Sequence, residues 1–151
     1  MLATLFIAGS VAQAEPRALE PLSHFPSSRL TIESSGRVHS FNVWIADTDP
    51  RHEQGLMFVK ALPPQQGMLF LFPTPQVAAF WMKNTLIPLD LLFVAPDGRI
   101  IRIAARAEPL SLAQISSMGI VLGVLEVAGG TAQRLKIQTG DRVRHAAFVR
   151  P

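Results

Sequence analysis

Residues 89–103 read LDLLFVAPDGRIIRI and give the clearest indication of the fold in this chain. Two runs rich in apolar residues flank the sequence APDG at 95–98. Its Asp-Gly pair tolerates the positive φ angles that a tight turn between strands requires. We therefore predict a β-hairpin whose strands cover residues 89–94 and 99–103.

Further strand-like segments lie on both sides of this hairpin. Residues 30–33 and 38–45 flank the turn-forming sequence SSGR, and apolar residues alternate with polar ones in the second run, which predicts another hairpin. Residues 107–119 are expected to be irregular. The remaining predicted strands cover residues 67–72, 120–127 and 142–149. Pro73 and Pro75 are expected to end the first of these.

Two short helices are predicted between the strands. Thr48 can accept hydrogen bonds from free backbone N–H groups at the start of the first helix, which would end at Gly55. Thr131 can act in the same way at the start of a single turn that runs to Leu135. The chain is therefore predicted to be an α+β, β-dominated fold, with two short helices and a curled, mainly antiparallel sheet or small barrel of about seven strands.

Length and composition fit one compact domain, because 48% of the 151 residues are hydrophobic and only 17% are charged. The absence of cysteine excludes disulfides, a thiol nucleophile, a zinc–thiolate site and lipid attachment through cysteine. The sequence holds no G-x-S-x-G, P-loop, H-E-x-x-H or EF-hand pattern, and its four histidines show no spacing typical of metal ligands. We expect no cofactor and no metal.

The N-terminus is typical of an exported protein. Residues 2–11 are almost entirely apolar and run into Ala-Gln-Ala at 12–14, the small-x-small pattern of a signal-peptide cleavage site. We predict a signal peptide over 1–14, a flexible linker over the proline-containing residues 15–28, and a single domain over 29–151, located in the periplasm or secreted. A buried N-terminal strand is the alternative. The apolar run is too short to span a bilayer, so no membrane span is expected after cleavage.

The net charge of +3 is too small to indicate a nucleic-acid partner, but its distribution is uneven. Residues 99–151 hold eight basic residues against three acidic ones. This excess fits either a solvated, arginine-rich strand face or a surface for an anionic partner. The basic residues are Arg99, Arg102, Arg106, Arg134, Lys136, Arg142, Arg144 and Arg150.

Polar side chains interrupt the deeply apolar sequence FWMKNTLIPLDLLF at residues 80–93. A buried charge without a partner is very costly, so Asp90 must pair with a cation, accept backbone hydrogen bonds or be protonated. We predict Arg51 as its partner, because a guanidinium can bind a carboxylate with two hydrogen bonds. Glu126 poses the same problem within its predicted strand. These groups form either a structural ion-pair network or the lining of a functional pocket.

Several blocks, in this order, resemble the DUF192 family over roughly residues 30–148. They are Arg51 with GLM at 55–57, GMLF at 67–70, WMKNT at 81–85 with PLD at 88–90, LEV at 125–127 and GDRV at 140–143. The resemblance implies a small, often exported, β-rich domain without an established activity. It also implies a polar set composed of Arg51, Lys83, Asn84, Thr85, Asp90, Glu126 and Asp141.

Three functions remain open. The first is an exported, non-enzymatic binding or accessory module that takes a small polar or sugar-like ligand beside Trp81. The second is a hydrolase-type enzyme in which Asp90 and Glu126 form a carboxylate pair for general acid and base catalysis. The third is a protein-interaction module that uses the basic C-terminal third. Under each of these functions we expect the protein to be a monomer. The candidate ligand-binding residues are Arg51, Trp81, Lys83, Asn84, Thr85, Asp90 and Glu126. We expect Trp81 to be partly exposed, with Lys83 on the same side.

Overall fold

Residues 17–148 are described by the computed structural model and form seven strands, two α-helices and a short 3-10 turn over Leu22–His24. The strands are β1 (Ser27–Ser34), β2 (Arg37–Ala46), β3 (Gln66–Phe80), β4 (Leu89–Val94), β5 (Ile100–Ala107), β6 (Ile115–Ala128) and β7 (Arg142–Arg144). The helices are α1 (Asp49–Gln54) and α2 (Thr131–Leu135). These seven strands and two short helices confirm the predicted α+β, β-dominated fold class.

All seven strands belong to one curled sheet in the order β5-β4-β6-β3-β2-β1-β7. Neighbouring strands are antiparallel except β2 and β3, which are parallel and joined by a crossover that contains α1. The two sheet edges also meet. The N–H of Ile100 donates to the carbonyl of Asp141 over 2.8 Å, and the N–H of Val143 donates to that of Gly98 over 2.8 Å. These bonds join the ends of the edge strands β5 and β7, so the sheet curls round on itself, which confirms the predicted curled, mainly antiparallel architecture.

The two faces of the sheet carry separate hydrophobic clusters. All six residues of β4 are buried. Leu91 and Phe93 pack on one face, while Leu92 and Val94 pack on the other. Successive side chains of a strand point to opposite faces, so a strand covered on both sides is apolar throughout. Asp90 is the exception in this strand, and its surroundings are described below.

The two predicted hairpins are confirmed. β1 pairs with β2 around a turn in which Ser35 and Gly36 have positive φ angles of 48° and 74°. β4 pairs with β5 around the Asp-Gly turn, where Gly98 has φ 85°. Both turns adopt the left-handed conformation that their residue types permit.

β3 continues through the prolines that were expected to end it, so that prediction is wrong. Pro73 and Pro75 lie where the pairing of β3 with β6 shifts register, between Leu71 and Gln76. A proline has no N–H to give to the ladder and is tolerated where the ladder is interrupted. Beyond the shift, β3 pairs again with the first part of β6. For this reason β6 begins at Ile115, five residues before the predicted start.

The last strand is shorter than predicted. β7 covers three residues instead of the predicted 142–149. The chain then turns, with the N–H of Phe148 donating to the carbonyl of His145 over 3.1 Å. The turn brings Phe148 into contact with the core, where it is 9% exposed. The strand therefore ends early, and the chain turns so that this aromatic side chain is buried in the core.

Part of the predicted linker packs against the domain. The predicted signal peptide over 1–14 and the first two linker residues lie outside the described residues. Within 17–28, Phe25 is 4% exposed, Glu20 contacts α1, and β1 already begins at Ser27. Packing of Leu22 and Phe25, together with hydrogen bonds between α1 and Glu20, holds a segment whose composition favoured flexibility. No helix within residues 17–148 has the length and hydropathy needed to cross a membrane.

Candidate functional site

The loop between β3 and β4 presents Trp81 and Lys83 to solvent. Met82 between them is 1% exposed, and its N–H donates to the carbonyl of Ser111 over 2.9 Å. Asn84 adopts a positive φ of 54°, and its carbonyl accepts the N–H of Phe58 over 2.9 Å. Alternation around the buried Met82 therefore places Trp81 and Lys83 on the same outer side of the loop.

Trp81 is 48% exposed, as the sequence predicts. The Nζ atom of Lys83 lies 5.0 Å from the centroid of the Trp81 ring, which is a cation–π distance. No ion pair of Lys83 occurs among residues 17–148. The indole therefore offers a half-exposed surface that a cationic side chain partly covers.

A cleft with a volume of about 680 Å³ opens beside Trp81. Its walls come from three parts of the chain: residues 17–20, α1 and the loop that follows β3. Glu53 and Gln54 of α1 and Lys83 and Asn84 of the loop supply polar side chains to its lining. A cleft that combines an aromatic wall with a few polar groups is typical of small-molecule sites.

The wall formed by residues 17–20 is fastened to α1 by hydrogen bonds. Gln54 exchanges two hydrogen bonds of 2.7 Å with the backbone of Glu20. The guanidinium of Arg51 binds the Glu20 carboxylate with bonds of 3.1 and 2.9 Å and also contacts Asp47 at 3.0 Å. The hydrogen bond from Arg51 lowers the pKa of Glu20. Arg51 therefore holds a wall of the cleft in place without lining it.

A smaller inner cavity of about 30 Å³ shares part of its lining with the cleft. Trp81, Lys83 and Glu53 line both spaces, whereas Thr85 and Glu126 line the inner cavity. Glu126 is 5% exposed, and burial raises the pKa of its carboxyl to about 8. At neutral pH the inner cavity therefore contains a carboxyl group that keeps its proton.

The strand register explains why Glu126 faces this cavity. On β6 it lies opposite Met68 of β3 and Leu91 of β4, two buried residues of the same hydrophobic cluster. Its side chain consequently points to the face of the sheet that α1 covers. Gly67 brings β3 close to this position, since a Cβ atom there would lie 2.6 Å from the carbonyl oxygen of Glu126.

Asp90 lies on the opposite face of the sheet and does not pair with Arg51, so that prediction is wrong. Its carboxylate accepts the backbone N–H groups of Arg106, Gly130 and Ala132 over 2.8, 2.9 and 2.8 Å. Three such bonds satisfy a fully buried carboxylate. Two of them serve the start of α2, so Asp90 takes the capping role that the sequence analysis assigned to Thr131.

The predicted catalytic pair of Asp90 and Glu126 does not form. Asp90 lies opposite Val127, one residue beyond Glu126, and neighbouring residues of a strand point to opposite faces. The sheet therefore separates the two carboxyl groups. Asp90 has a structural role, and Glu126 is the candidate functional carboxyl of the pair.

Five of the seven predicted ligand-binding residues meet at the cleft or its inner cavity. They are Trp81, Lys83, Asn84, Thr85 and Glu126. Arg51 and Asp90 line neither space. Sequence analysis missed Glu53, Gln54 and Met57, which line the cleft from α1 and the turn that follows it. The available signal was the GLM block at 55–57, which follows these two polar residues directly.

The basic residues of the C-terminal third are in part engaged within the chain. Arg144 binds Glu33 with two hydrogen bonds of 2.9 and 2.8 Å. Arg142 donates to the carbonyl of Asp97 over 3.0 Å. These contacts favour the interpretation of a solvated, arginine-rich strand face.

The curled sheet and its cleft define a small β-rich domain with an aromatic and polar recess on the face of the sheet that α1 covers. The chain belongs to the DUF192 family, described as "Uncharacterized ACR", whose model matches residues 30–145. This match confirms the resemblance inferred from the sequence blocks. No curated protein matches the chain closely enough to count as a relative.

Solved structures share the fold, and two of them match this chain over most of its length. A protein from Sinorhizobium meliloti 1021, named as a candidate transcription regulator, is 40% identical with a TM-score of 0.80, and the match covers 82% of this chain and 96% of that one. A protein of unknown function from Novosphingobium aromaticivorans DSM 12444 is 39% identical with a TM-score of 0.80, covering 87% and 94% of the two chains.

Proposed function

We propose that this protein is a binding module that takes a small, sugar-like polar ligand in the cleft beside Trp81. The observation that carries the proposal is the half-exposed indole, which forms one wall of a recess of about 680 Å³. An indole has an apolar face on which the C–H groups of a sugar ring can lie, and an N–H that can stay hydrated. The amide of Asn84 and the carboxylate of Glu53 also line the cleft and can bind hydroxyl groups.

The charges of the cleft support a neutral polar ligand over a strongly charged one. Charges of both signs line the cleft: Arg17 and Lys83 are positive, and Glu20 and Glu53 are negative. A ligand with a single strong charge would be attracted to one pair and repelled by the other. The intrachain contacts of Arg142 and Arg144 likewise favour the cleft over the basic strand face as the binding surface.

Fluorescence of Trp81 tests this proposal directly. The chain has two tryptophans, so Trp44→Phe leaves Trp81 as the single reporter. D-glucose, D-galactose and D-mannose are titrated against this variant. We expect at least one sugar to change the emission in a saturable way, because a ring stacked on the indole displaces water from it.

Two lysine variants provide the matched control. Lys83→Ala should weaken the response without a large loss of stability, since the side chain is exposed and has no ion pair among residues 17–148. Lys60→Ala removes an exposed lysine that does not line the cleft and should leave the response unchanged. Absence of a saturable change with all three sugars would refute the proposal.

We also propose that the protein acts outside the cytoplasm. The apolar run at 2–11 and the Ala-Gln-Ala sequence at 12–14 support cleavage after Ala14. Mature protein from the native host should begin at Glu15. N-terminal sequencing of protein from the periplasmic or secreted fraction tests this, and a mature chain that begins at Met1 would remove the basis for export.

A further inference from the structure

The inner cavity beneath the cleft has the size of a single small group. Its volume of about 30 Å³ is enough for one water molecule or one ligand atom with its hydrogens, but not for a ring. Aromatic rings form much of its wall, contributed by Phe70, Phe80 and Trp81. A ligand that lies on Trp81 in the cleft could therefore extend one substituent into the inner cavity.

Glu126 is the buried polar side chain of this cavity that has no hydrogen-bond partner within residues 17–148. The residue is 5% exposed, whereas Glu53 and Lys83, which also line the cavity, are exposed to solvent. Its carboxyl oxygens are not sealed off by protein atoms, and a carboxyl that faces a small cavity needs a hydrogen-bonding group from whatever enters that cavity. Something that enters the cavity can satisfy it.

Three other polar side chains around the cavity already have hydrogen-bond partners. The Nε2 atom of His52 lies 2.9 Å from two carbonyl oxygens, those of Ala46 and Leu71. The hydroxyl of Thr85 donates to the carbonyl of Lys83 over 3.2 Å. Gln54 is bound to Glu20. Rearrangement of any of these groups toward Glu126 would break an existing hydrogen bond.

The chemistry of Glu126 selects the kind of group that fits. Burial raises its pKa to about 8, so at neutral pH the carboxyl has one O–H donor and a carbonyl acceptor. A hydroxyl group is also both a donor and an acceptor, and is therefore complementary to it. The ionisable groups that line the cavity with Glu126 are His52 and Glu53 from α1 and Lys83 from the loop. Glu53 opposes an anion and Lys83 opposes a cation, which leaves a neutral hydroxyl as the favoured group.

We propose that the inner cavity receives one hydroxyl group of a sugar-like ligand and that Glu126 is the residue that recognises this hydroxyl. This inference rests on the proposed function of the cleft and specifies how the ligand is oriented. Trp81 holds the ring of the sugar, and Glu126 fixes which edge of the ring points inward.

The test couples one hydroxyl of the probe to one side chain of the protein. The monodeoxy analogues of D-glucose, D-galactose and D-mannose are titrated against the Trp44→Phe protein and against two further variants of Glu126. Glu126→Gln keeps one donor and one acceptor. In Glu126→Met the new side chain has a similar length but neither a strong donor nor a strong acceptor. An apolar methionine side chain is also compatible with the aromatic rings around it. Circular dichroism confirms that each variant is folded.

We expect one monodeoxy analogue to bind the Trp44→Phe protein about tenfold more weakly than its parent sugar, the effect of losing one buried hydrogen bond. In Glu126→Met the affinity for the parent sugar should fall by about the same factor. The affinity for the deoxy analogue should not fall any further. Glu126→Gln should stay within a few-fold of the parent protein. This pattern would be the signature of direct contact.

Two other outcomes overturn the inference in distinguishable ways. In the first, an unmodified sugar changes the Trp81 emission, but removing a hydroxyl from the sugar weakens binding by the same factor in Glu126→Met as in the Trp44→Phe protein. The cleft then binds sugar, and the role assigned to Glu126 is wrong. If no parent sugar changes the emission, the proposed function and this inference both fail.

Discussion

Replacement of Glu126 by glutamine should stabilise the protein at neutral pH, and the gain should disappear in acid. Burial raises the pKa of Glu126 from its ordinary value of 4.5 to about 8. Between these two pH values the folded protein holds a proton that the unfolded chain has released. The folded state therefore binds more protons, and the free energy of unfolding falls as the pH rises through this window.

The magnitude follows from the width of the window. Each pH unit removes about 1.4 kcal/mol of stability. From pH 4.5 to pH 7 the loss reaches roughly 3 kcal/mol, which is on the order of 10 °C in Tm for a domain of this size. Glutamine has nearly the same shape and cannot ionise, so Glu126→Gln avoids this loss. The two proteins should be similarly stable at pH 4.5 and differ by roughly 3 kcal/mol at pH 7.

Urea unfolding followed by circular dichroism, repeated from pH 4.5 to pH 8.5, measures this difference. The other carboxyl groups titrate alike in both proteins, so the difference isolates Glu126. Glu53→Gln is the matched control, because Glu53 is an exposed carboxyl on the same cleft and should give no pH-dependent gain. A difference between wild type and Glu126→Gln that stays constant from pH 4.5 to pH 8 would show that the carboxyl is solvated and would refute the reasoning.

Two further predictions concern the packing around the site. Asp90→Ala should lower the free energy of unfolding by about 3–5 kcal/mol, because it leaves three backbone N–H groups unsatisfied. Arg51→Ala should lower the free energy of unfolding much less, since water can replace the guanidinium at its carboxylate partners. Urea unfolding of the double variant should give the sum of the two losses, and a clearly smaller total would mean that the two residues interact after all. Gly67→Ala should destabilise the protein more than Gly36→Ala, because a Cβ atom at position 67 would lie 2.6 Å from the carbonyl oxygen of Glu126. A Cβ atom at position 36 would meet open space, so the cost there comes from the positive φ of 74° alone. Equal changes in Tm would contradict the close approach of β3 and β6.

The sequence by itself determined most of the strands, both hairpins and the positions of the two helices. These features depend on local chemistry: apolar alternation, the Asp-Gly turn at 97–98 and the Ser-Gly turn at 35–36. It also predicted the partial exposure of Trp81, because local alternation places Trp81 on the same side as Lys83, whose ammonium group needs water or an anionic partner. The sequence could not show that β3 passes through Pro73 and Pro75, since that depends on a shift in its pairing with a distant strand.

Only the tertiary structure decided which polar groups meet. Asp90 contacts N–H groups 40 and 42 residues further along the chain, and Arg51 contacts a carboxylate 31 residues before it. Alternation fixes which residues of one strand share a face, but the register between β4 and β6 decides that Asp90 lies opposite Val127 and so on the other face from Glu126. The cleft itself depends on the parallel crossover that lays α1 over the sheet. Long-range register, rather than residue type, therefore separates the structural carboxylate from the candidate functional one.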